Sequence, residues 1–343
     1  MAEMMKRIAL AERPKGEVGP EHFRLDQTEV PTPRDGEVQV RVTAMSLDPY
    51  MRGRMDDVAS YADPVPLGGT MEAGAVGIVT ESKDPRFAPG DKVFGMFGWA
   101  SHGVLPGQQL RKLDDRAPMN TALGVLGMPG FTAWAGLTAY GKLKAGETLV
   151  VAAATGPVGS MVGQIAKSQG LRVVGVAGGP DKCKMAVDIF GFDACVDHRA
   201  HGSAKDMRGA LAAECPDGID VYFENVGGPV LGGVLPLMNL HGRIIVCGMI
   251  AWYDGAQDEV ARMPLANLWR MALVKRLTIQ GLLQTDHVAR YGEFLRDIAP
   301  KVTSGEFKYV EDVVQGLENA PEAFMGLLKG RNKGKLIVQI SEE

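Results

Sequence analysis

No cysteine occurs before residue 183 in this 343-residue chain, and the four that exist, Cys183, Cys195, Cys215 and Cys247, are scattered over the second half. A disulfide scaffold packs more cysteine into fewer residues, so a reducing, cytoplasmic setting is expected. There is no CxxC pair and no His-Glu-x-x-His, which argues against a metal site of standard zinc spacing. Charge of one sign is also lacking. Lys and Arg number 37 against 41 Asp and Glu, for a net charge of -4, so no basic stripe for nucleic acid is expected. Apolar runs of membrane-spanning length, about 18 residues, are missing. The first ten residues carry Glu3, Lys6 and Arg7 where a signal peptide needs an apolar core.

What remains is ordinary globular composition, 45% hydrophobic and 23% charged, over a length that usually serves two cores. The first third alternates short apolar runs, such as Glu37–Val42 and Ala75–Val79, with Pro-Gly-Asp turn chemistry, which reads as a β-rich domain. A small-residue stretch from Ala122 to Tyr140 reads as helix. From Lys144 the pattern becomes strand–helix alternation, with strands expected at Thr148–Ala153, Arg172–Ala177, Ala194–Val196, Ile219–Glu224, Arg243–Gly248 and Leu277–Leu283. Such alternation predicts an α/β fold with a doubly wound parallel sheet. The tail, with an amphipathic helix within Val310–Leu328 and a strand at Lys335–Ile340, is expected to rejoin the first domain. The domains are then 1–125 with 305–343, and 126–304, with a ligand cleft between them.

The most informative segment is Ala153-Ala-Thr155-Gly156-Pro157-Val158-Gly159, which follows an expected strand and opens an expected helix. Gly156 would let backbone approach a pyrophosphate, Gly159 would let the helix pack close to the sheet, and the helix N-terminus supplies N–H groups. An ordinary strand–helix turn is the bland alternative. The second strand ends in Ala177-Gly178-Gly179, without the Asp or Glu that binds an NAD ribose. Lys182 follows within a helical turn, either as a point charge for a 2′-phosphate or as a solvated surface lysine. The segment Gly136–Leu143 looks like a Walker loop, but Leu143 replaces the magnesium-binding Ser/Thr and the segment precedes a strand.

Several longer segments resemble the zinc-independent medium-chain dehydrogenase/reductases of the leukotriene B4 dehydrogenase/prostaglandin reductase type, including alkenal double-bond reductases and curcumin reductase. They are Ser46–Arg52, Gly127–Ala133, Ala177–Cys183, Asp220–Gly228, Cys247–Tyr253 and Gly330–Lys335. The resemblance implies a GroES-like catalytic domain beside a Rossmann domain, NADPH as cofactor, and commonly a homodimer. It implies that Thr155, Gly156, Pro157, Val158, Gly159, Gly178, Gly179 and Lys182 hold the phosphates. It further implies that Asn225, the Cys247-Gly248-Met249-Ile250 loop to Tyr253, Leu282, Leu283, Gln284 and Asn332 line the cofactor. The chain departs from the family pattern at His198, which would serve as a cofactor-binding residue where a tyrosine frequently contacts the 2′-phosphate region, and at Lys333, where an apolar residue is frequent.

The chemistry implied is metal-free reduction of the C=C bond of α,β-unsaturated ketones or aldehydes by hydride transfer to the β-carbon. The protein then needs to position both reactants and stabilise an enolate oxygen. A tyrosine hydroxyl, neutral and protonated at pH 7, suits that task. Tyr253, Tyr61 and Tyr50 are the candidates; each is otherwise a half-buried aromatic, and Asp48-Pro49-Tyr50 is also turn chemistry, with Asp48 expected to pair locally with Arg52. Cys247 reads as a buried thiol and not a nucleophile. The alternatives are a quinone reductase on the same scaffold and a non-catalytic NADPH-binding redox sensor.

Overall fold

The computed structural model describes residues 3–253 and 265–342. It divides the chain into two compact units, one of Met1–Gly124 with Glu311–Glu343, the other of Val125–Val310. No helix among the described residues is long and apolar enough to cross a membrane.

In the first unit, β1 (Met4–Leu10) and β2 (Phe23–Glu29) form an antiparallel ribbon. Strands β3 (Glu37–Ser46), β4 (Ala75–Ser82), β5 (Lys92–Gly95), β6 (His102–Pro106) and β7 (Arg111–Lys112) follow. The first half of β3 has the period-2 pattern of a one-sided sheet: Val38, Val40 and Val42 are buried while Glu37, Gln39 and Arg41 are half-buried. From Thr43 to Ser46 both faces are covered.

The second unit begins with α1 (Met128–Gly136) and continues as β8 (Thr148–Ala152), α2 (Pro157–Ser168), β9 (Arg172–Ala177), α3 (Pro180–Asp188) and β10 (Ala194–Asp197). It goes on through α4 (Ala204–Glu214), β11 (Ile219–Glu224), α5 (Gly228–Val234), β12 (Met238–Val246), α6 (Leu265–Lys275), β13 (Thr278–Gly281) and α7 (Tyr291–Thr303). The six strands pair in parallel in the order β10-β9-β8-β11-β12-β13. Chain progression reverses between β8 and β11, so the strand ends there flank a crevice at the carboxyl edge. All of β8 is buried, as its unbroken apolar run requires.

Three sequence expectations are corrected. Helix is confined to Met128–Gly136 plus a wider turn at Leu137–Gly141, not Ala122–Tyr140. The strand expected at Arg243–Gly248 starts at Met238 and stops at Val246: the Cys247 N–H makes the last ladder bond to the Glu224 carbonyl at 2.9 Å, and the Gly248 N–H turns back onto that same carbonyl at 3.1 Å. The strand expected at Leu277–Leu283 is confined to Thr278–Gly281, an exposed edge of the sheet.

The chain then returns to the first unit through β14 (Glu311–Gln315), α8 (Ala320–Leu328) and β15 (Lys335–Gln339). They complete a sheet of order β14-β15-β3-β4-β5-β7, with β6 also on β3. Phe324 of α8 meets Trp99 edge-on at 5.6 Å, and Phe23 stacks on the same indole at 5.4 Å. On β15, Lys335 is buried: its Nζ donates to Asp48 Oδ1 at 2.7 Å and to the Leu47 carbonyl at 2.8 Å. The Ser46 hydroxyl donates to Asp48 Oδ2. Burial holds the Lys335 ammonium below the usual lysine range despite the pull of Asp48. Removing one member of such a pair strands the other. Lys335→Met should therefore lower the unfolding free energy by about 3 kcal/mol. Adding Asp48→Asn should recover much of that loss, a coupling that urea denaturation of the two variants measures. A double variant as unstable as the sum of the singles contradicts it.

Candidate active site

Ala153 leaves β8 in the left-handed region, with φ 52°. This turns its carbonyl toward the first turn of α2: a Cβ on Gly159 would lie 2.3 Å from Ala153 O, so the helix start tolerates only glycine there. Gly156 caps α2 with no side-chain acceptor, and Pro157 takes the first position, where its missing N–H costs nothing. The N–H groups of Val158 and Gly159 lie in the turn that helix geometry leaves without intrahelical acceptors, beside the buried Thr155.

At the end of β9, Gly178 and Gly179 lead into α3, whose first turn carries Lys182. The Asp197 carboxylate, at the end of β10, accepts from the Gly179 N–H at 2.7 Å and the Arg199 N–H at 2.9 Å. Side chains of His198 and Arg199 crowd Gly178: a Cβ there would meet His198 Nε2 at 2.9 Å and Arg199 Nε at 3.1 Å. Burial first, then the nearby Arg199 and Lys182 cations, push the His198 imidazole below its usual range despite the opposing pull of Asp197, so it is neutral at pH 7. Arg199 escaped the sequence reading. Its only signal there is a cation two residues beyond a strand end.

At the end of β11, Asn225 Nδ2 donates to the Ala152 carbonyl at 2.8 Å and ties together the two central strand ends. The preceding Glu224 is buried, and its Oε1 accepts from the N–H groups of Val226 at 2.6 Å and Gly227 at 2.9 Å. Gly227, with φ 81°, also makes room for the Trp252 ring, which a Cβ would meet at 2.9 Å. The loop after β12 is zipped to this turn, with Ile250 N–H on the Asn225 carbonyl at 3.2 Å and Ala251 N–H on that of Val226 at 3.0 Å. The Tyr253 hydroxyl accepts from the Met249 N–H at 3.3 Å. Burial, with the Glu224 carboxylate second, pushes the Cys247 thiol up to about 12, which leaves it un-ionised at pH 7. Beyond β13, the Leu282 N–H continues the ladder to Val246 O at 2.9 Å, and Leu283 and Gln284 open a 3-10 turn.

Thus Thr155 to Gly159, Gly178, Gly179, Lys182, His198, Asn225, Cys247 to Tyr253 and Leu282 to Gln284 all follow the carboxyl ends of parallel strands in the second unit. Tyr50, Tyr61 and Asn332 belong to the first unit. There the Arg54 guanidinium lies 4.4 Å from the ring centre of Tyr61 and 5.8 Å from that of Tyr50. Arg54 is itself buried, with its NH1 on the Ala62 carbonyl at 3.1 Å and an ion pair to Glu72 at 3.4 Å. Tyr61 is 60% exposed, whereas burial and the Asp48 carboxylate raise the Tyr50 phenol above its ordinary range. Asn332 Nδ2 is held by the Gly334 carbonyl at 2.8 Å. The expected Asp48–Arg52 pair is corrected: Asp48 faces Lys335, and Arg52 binds Asp56 at 2.7 Å and the Gly16 carbonyl at 3.1 Å.

Residues 6–113 match the family model described as the N-terminal domain of oxidoreductase, and residues 157–299 match that of zinc-binding dehydrogenases. Among the described residues no three His, Cys, Asp or Glu side chains are grouped as metal ligands. The chain is 48% identical to the NADPH-dependent curcumin reductase of Escherichia coli K12, over 98% of this chain and 97% of that one. It is 43% identical to a tobacco (Nicotiana tabacum) NADP-dependent 2-alkenal reductase, over 90% and 88%. The crystal structure of Vibrio vulnificus CurA in complex with NADPH superposes with a TM-score of 0.92 at 45% identity, over 98% of this chain and 100% of that one. The chain belongs to the zinc-independent medium-chain dehydrogenase/reductase family, among the oxidoreductases of curcumin reductase and prostaglandin reductase type.

Proposed function

We propose that this protein reduces the C=C bond of α,β-unsaturated ketones and aldehydes with NADPH. The observation that carries the cofactor is the pairing of a glycine-only helix start at Gly159 with a cationic corner of Lys182 and Arg199 at the end of the next strand. The residues fit NADPH. A pyrophosphate matches the N–H groups of Val158 and Gly159, and a 2′-phosphate matches two cations on a turn with no carboxylate at the ribose position. Related reductases of curcumin and 2-alkenals support the substrate class.

When bound, NADPH supplies the reducing equivalent. The protein's own part is orientation and charge stabilisation. Asn225 fixes the edge on which the nicotinamide half would rest, and its amide is set by the Ala152 carbonyl. Tyr253 is the donor for the developing enolate oxygen: the Met249 N–H on its phenolic oxygen strengthens the phenol as a donor. Protonation of the α-carbon completes the saturated product, with one proton taken up per double bond.

The lateral edge of this sheet bears on assembly. Leu265, Trp269 and Leu273 recur at four-residue spacing on one face of α6 and are 62%, 66% and 78% exposed, next to edge strand β13. An apolar stripe of that kind marks an interface, and we assign it to a homodimer.

Four outcomes are expected. Loss of reduced-nicotinamide absorbance with a panel of enones and a quinone should show fast enone turnover with NADPH and poor turnover with NADH; turnover confined to the quinone would replace the enone reading. Lys182→Ala and Arg199→Ala should each raise KM for NADPH about tenfold and leave KM for NADH unchanged, while Tyr253→Phe should lower kcat about a hundredfold with NADPH affinity retained. Leu273→Asp should convert a dimer to a monomer in analytical ultracentrifugation; an unchanged mass would remove α6 from the interface.

A further inference from the structure

The corner that carries Lys182 and Arg199 also contains an acid, and a carboxylate repels the phosphate those cations would attract. Asp197 closes β10, in register with Ala177, the last residue of β9. From there its Oδ1 accepts two N–H groups, that of Gly179 at 2.7 Å and that of Arg199 at 2.9 Å. Gly179 is the cap of α3, with φ 96°, and its carbonyl starts the helix by accepting from the Cys183 N–H at 3.2 Å. Lys182 is the third residue of that helix. On the other turn, Arg199 Nε would lie 3.1 Å from a Cβ on Gly178, and its NH1 3.7 Å from one on Gly179. One oxygen therefore ties together the two turns from which both cations spring. Burial opposes ionisation of Asp197, but the Gly179 and Arg199 N–H groups prevail and hold its carboxyl below the usual aspartate range.

We propose that Asp197 is the positioning residue for cofactor preference, holding Lys182 and Arg199 at the spacing a 2′-phosphate needs, a role that rests on the reading of both cations as phosphate ligands. What the corner requires of Asp197 is an acceptor and not a charge. Its charge opposes the phosphate, whereas its Oδ1 satisfies two turn N–H groups at once. Asparagine carries an oxygen at the same reach and brings no charge. Alanine carries none, so both N–H groups pass to water and the two turns lose their common anchor. NADH has a hydroxyl where NADPH has the phosphate, so the loss falls on one cofactor. The same two strands supply a comparison. Asp193 precedes β10 at its other end, where its Oδ2 accepts from the Val173 N–H of β9 at 2.7 Å. It is a tie of the same kind, on the sheet edge away from the phosphate corner.

The test compares full-length Asp197→Ala, Asp197→Asn and Asp193→Ala with the wild type. It measures KM for NADPH and NADH, inhibition by adenosine 2′,5′-bisphosphate competing with NADPH, and the thermal midpoint of each variant. In Asp197→Ala, KM for NADPH and the inhibition constant should each rise about tenfold, with kcat and KM for NADH within about twofold of wild type. Asp197→Asn should stay within about twofold of wild type on every count, or bind NADPH more tightly. Asp193→Ala should lower the thermal midpoint and leave the preference between cofactors unchanged. An unchanged KM for NADPH in Asp197→Ala, an equal rise for both cofactors, or failure of that variant to fold would overturn the proposal. So would the same loss of preference in Asp197→Asn or in Asp193→Ala. Failure of the phosphate reading shows separately, as a wild type without NADPH preference and Lys182→Ala and Arg199→Ala variants with unchanged KM.

Discussion

The second unit depends on one close approach, that of the first turn of α2 to the end of β8. With Ala153 in the left-handed region, its carbonyl occupies the space that any side chain at position 159 would need. The same economy of volume continues along the helix. A Cβ on Gly163 would fall 2.0 Å from the Phe192 ring, and one on Gly175 of β9 would fall 2.7 Å from the Ala154 Cβ and 3.0 Å from the same ring. Phe192 is thus a wedge whose seat is cut by two glycines, one on the helix and one on the sheet. Such packing sets the helix at a fixed height and aims its N-terminus at whatever lies beyond the strand ends.

Parallel pairing then does the collecting. Since all six strands run the same way, every segment that follows a strand emerges on one edge, and residues 73 positions apart, Ala152 and Asn225, become neighbours. Short polar ties hold the segments there. Asn225 joins the ends of β11 and β8, Asp197 joins the turn after β9 to the one after β10, and the backbone of residues 224–226 carries the loop after β12. Each tie satisfies groups that a loop at a sheet edge would otherwise leave to water. Their sum is a rigid rim on which the site residues stand.

The strand cores were readable in the sequence because continuous apolar runs such as Thr148–Ala152 and Arg172–Ala177 state two-sided burial directly. The loop at Gly156 and Gly159 was readable because its glycines answer local steric demands. Arg199, Arg54 and Lys335 were not, since the meaning of each depends on a partner brought by the fold. Arg199 faces Gly178, Arg54 lies under Tyr61, and Lys335 meets Asp48 from 287 positions away in the chain. The end of β12 has the same origin: Gly248 follows an apolar run, but its N–H turns back onto the Glu224 carbonyl that already accepts the last ladder bond, from Cys247. Pattern reports what a residue needs locally and is silent on competition for one acceptor.

Glu224 shows why such a polar residue is kept in a core. Burial raises its pKa above the usual glutamate range, although the Val226 and Gly227 N–H groups oppose the shift. Its Oε2 and the Tyr222 hydroxyl sit side by side, both buried, without a well-formed hydrogen bond. An aliphatic residue would avoid that desolvation but would leave two buried N–H groups without an acceptor, each a loss of about 1–3 kcal/mol. A glutamine could accept from both, yet would bring an amide N–H₂ into the space now held by Oε2 and the Tyr222 oxygen. The acid is therefore retained for the turn it holds: with Oε1 committed to residues 226 and 227, Gly227 keeps its left-handed conformation and Asn225 projects toward Ala152. A group that touches no reactant thereby sets the orientation of one that would.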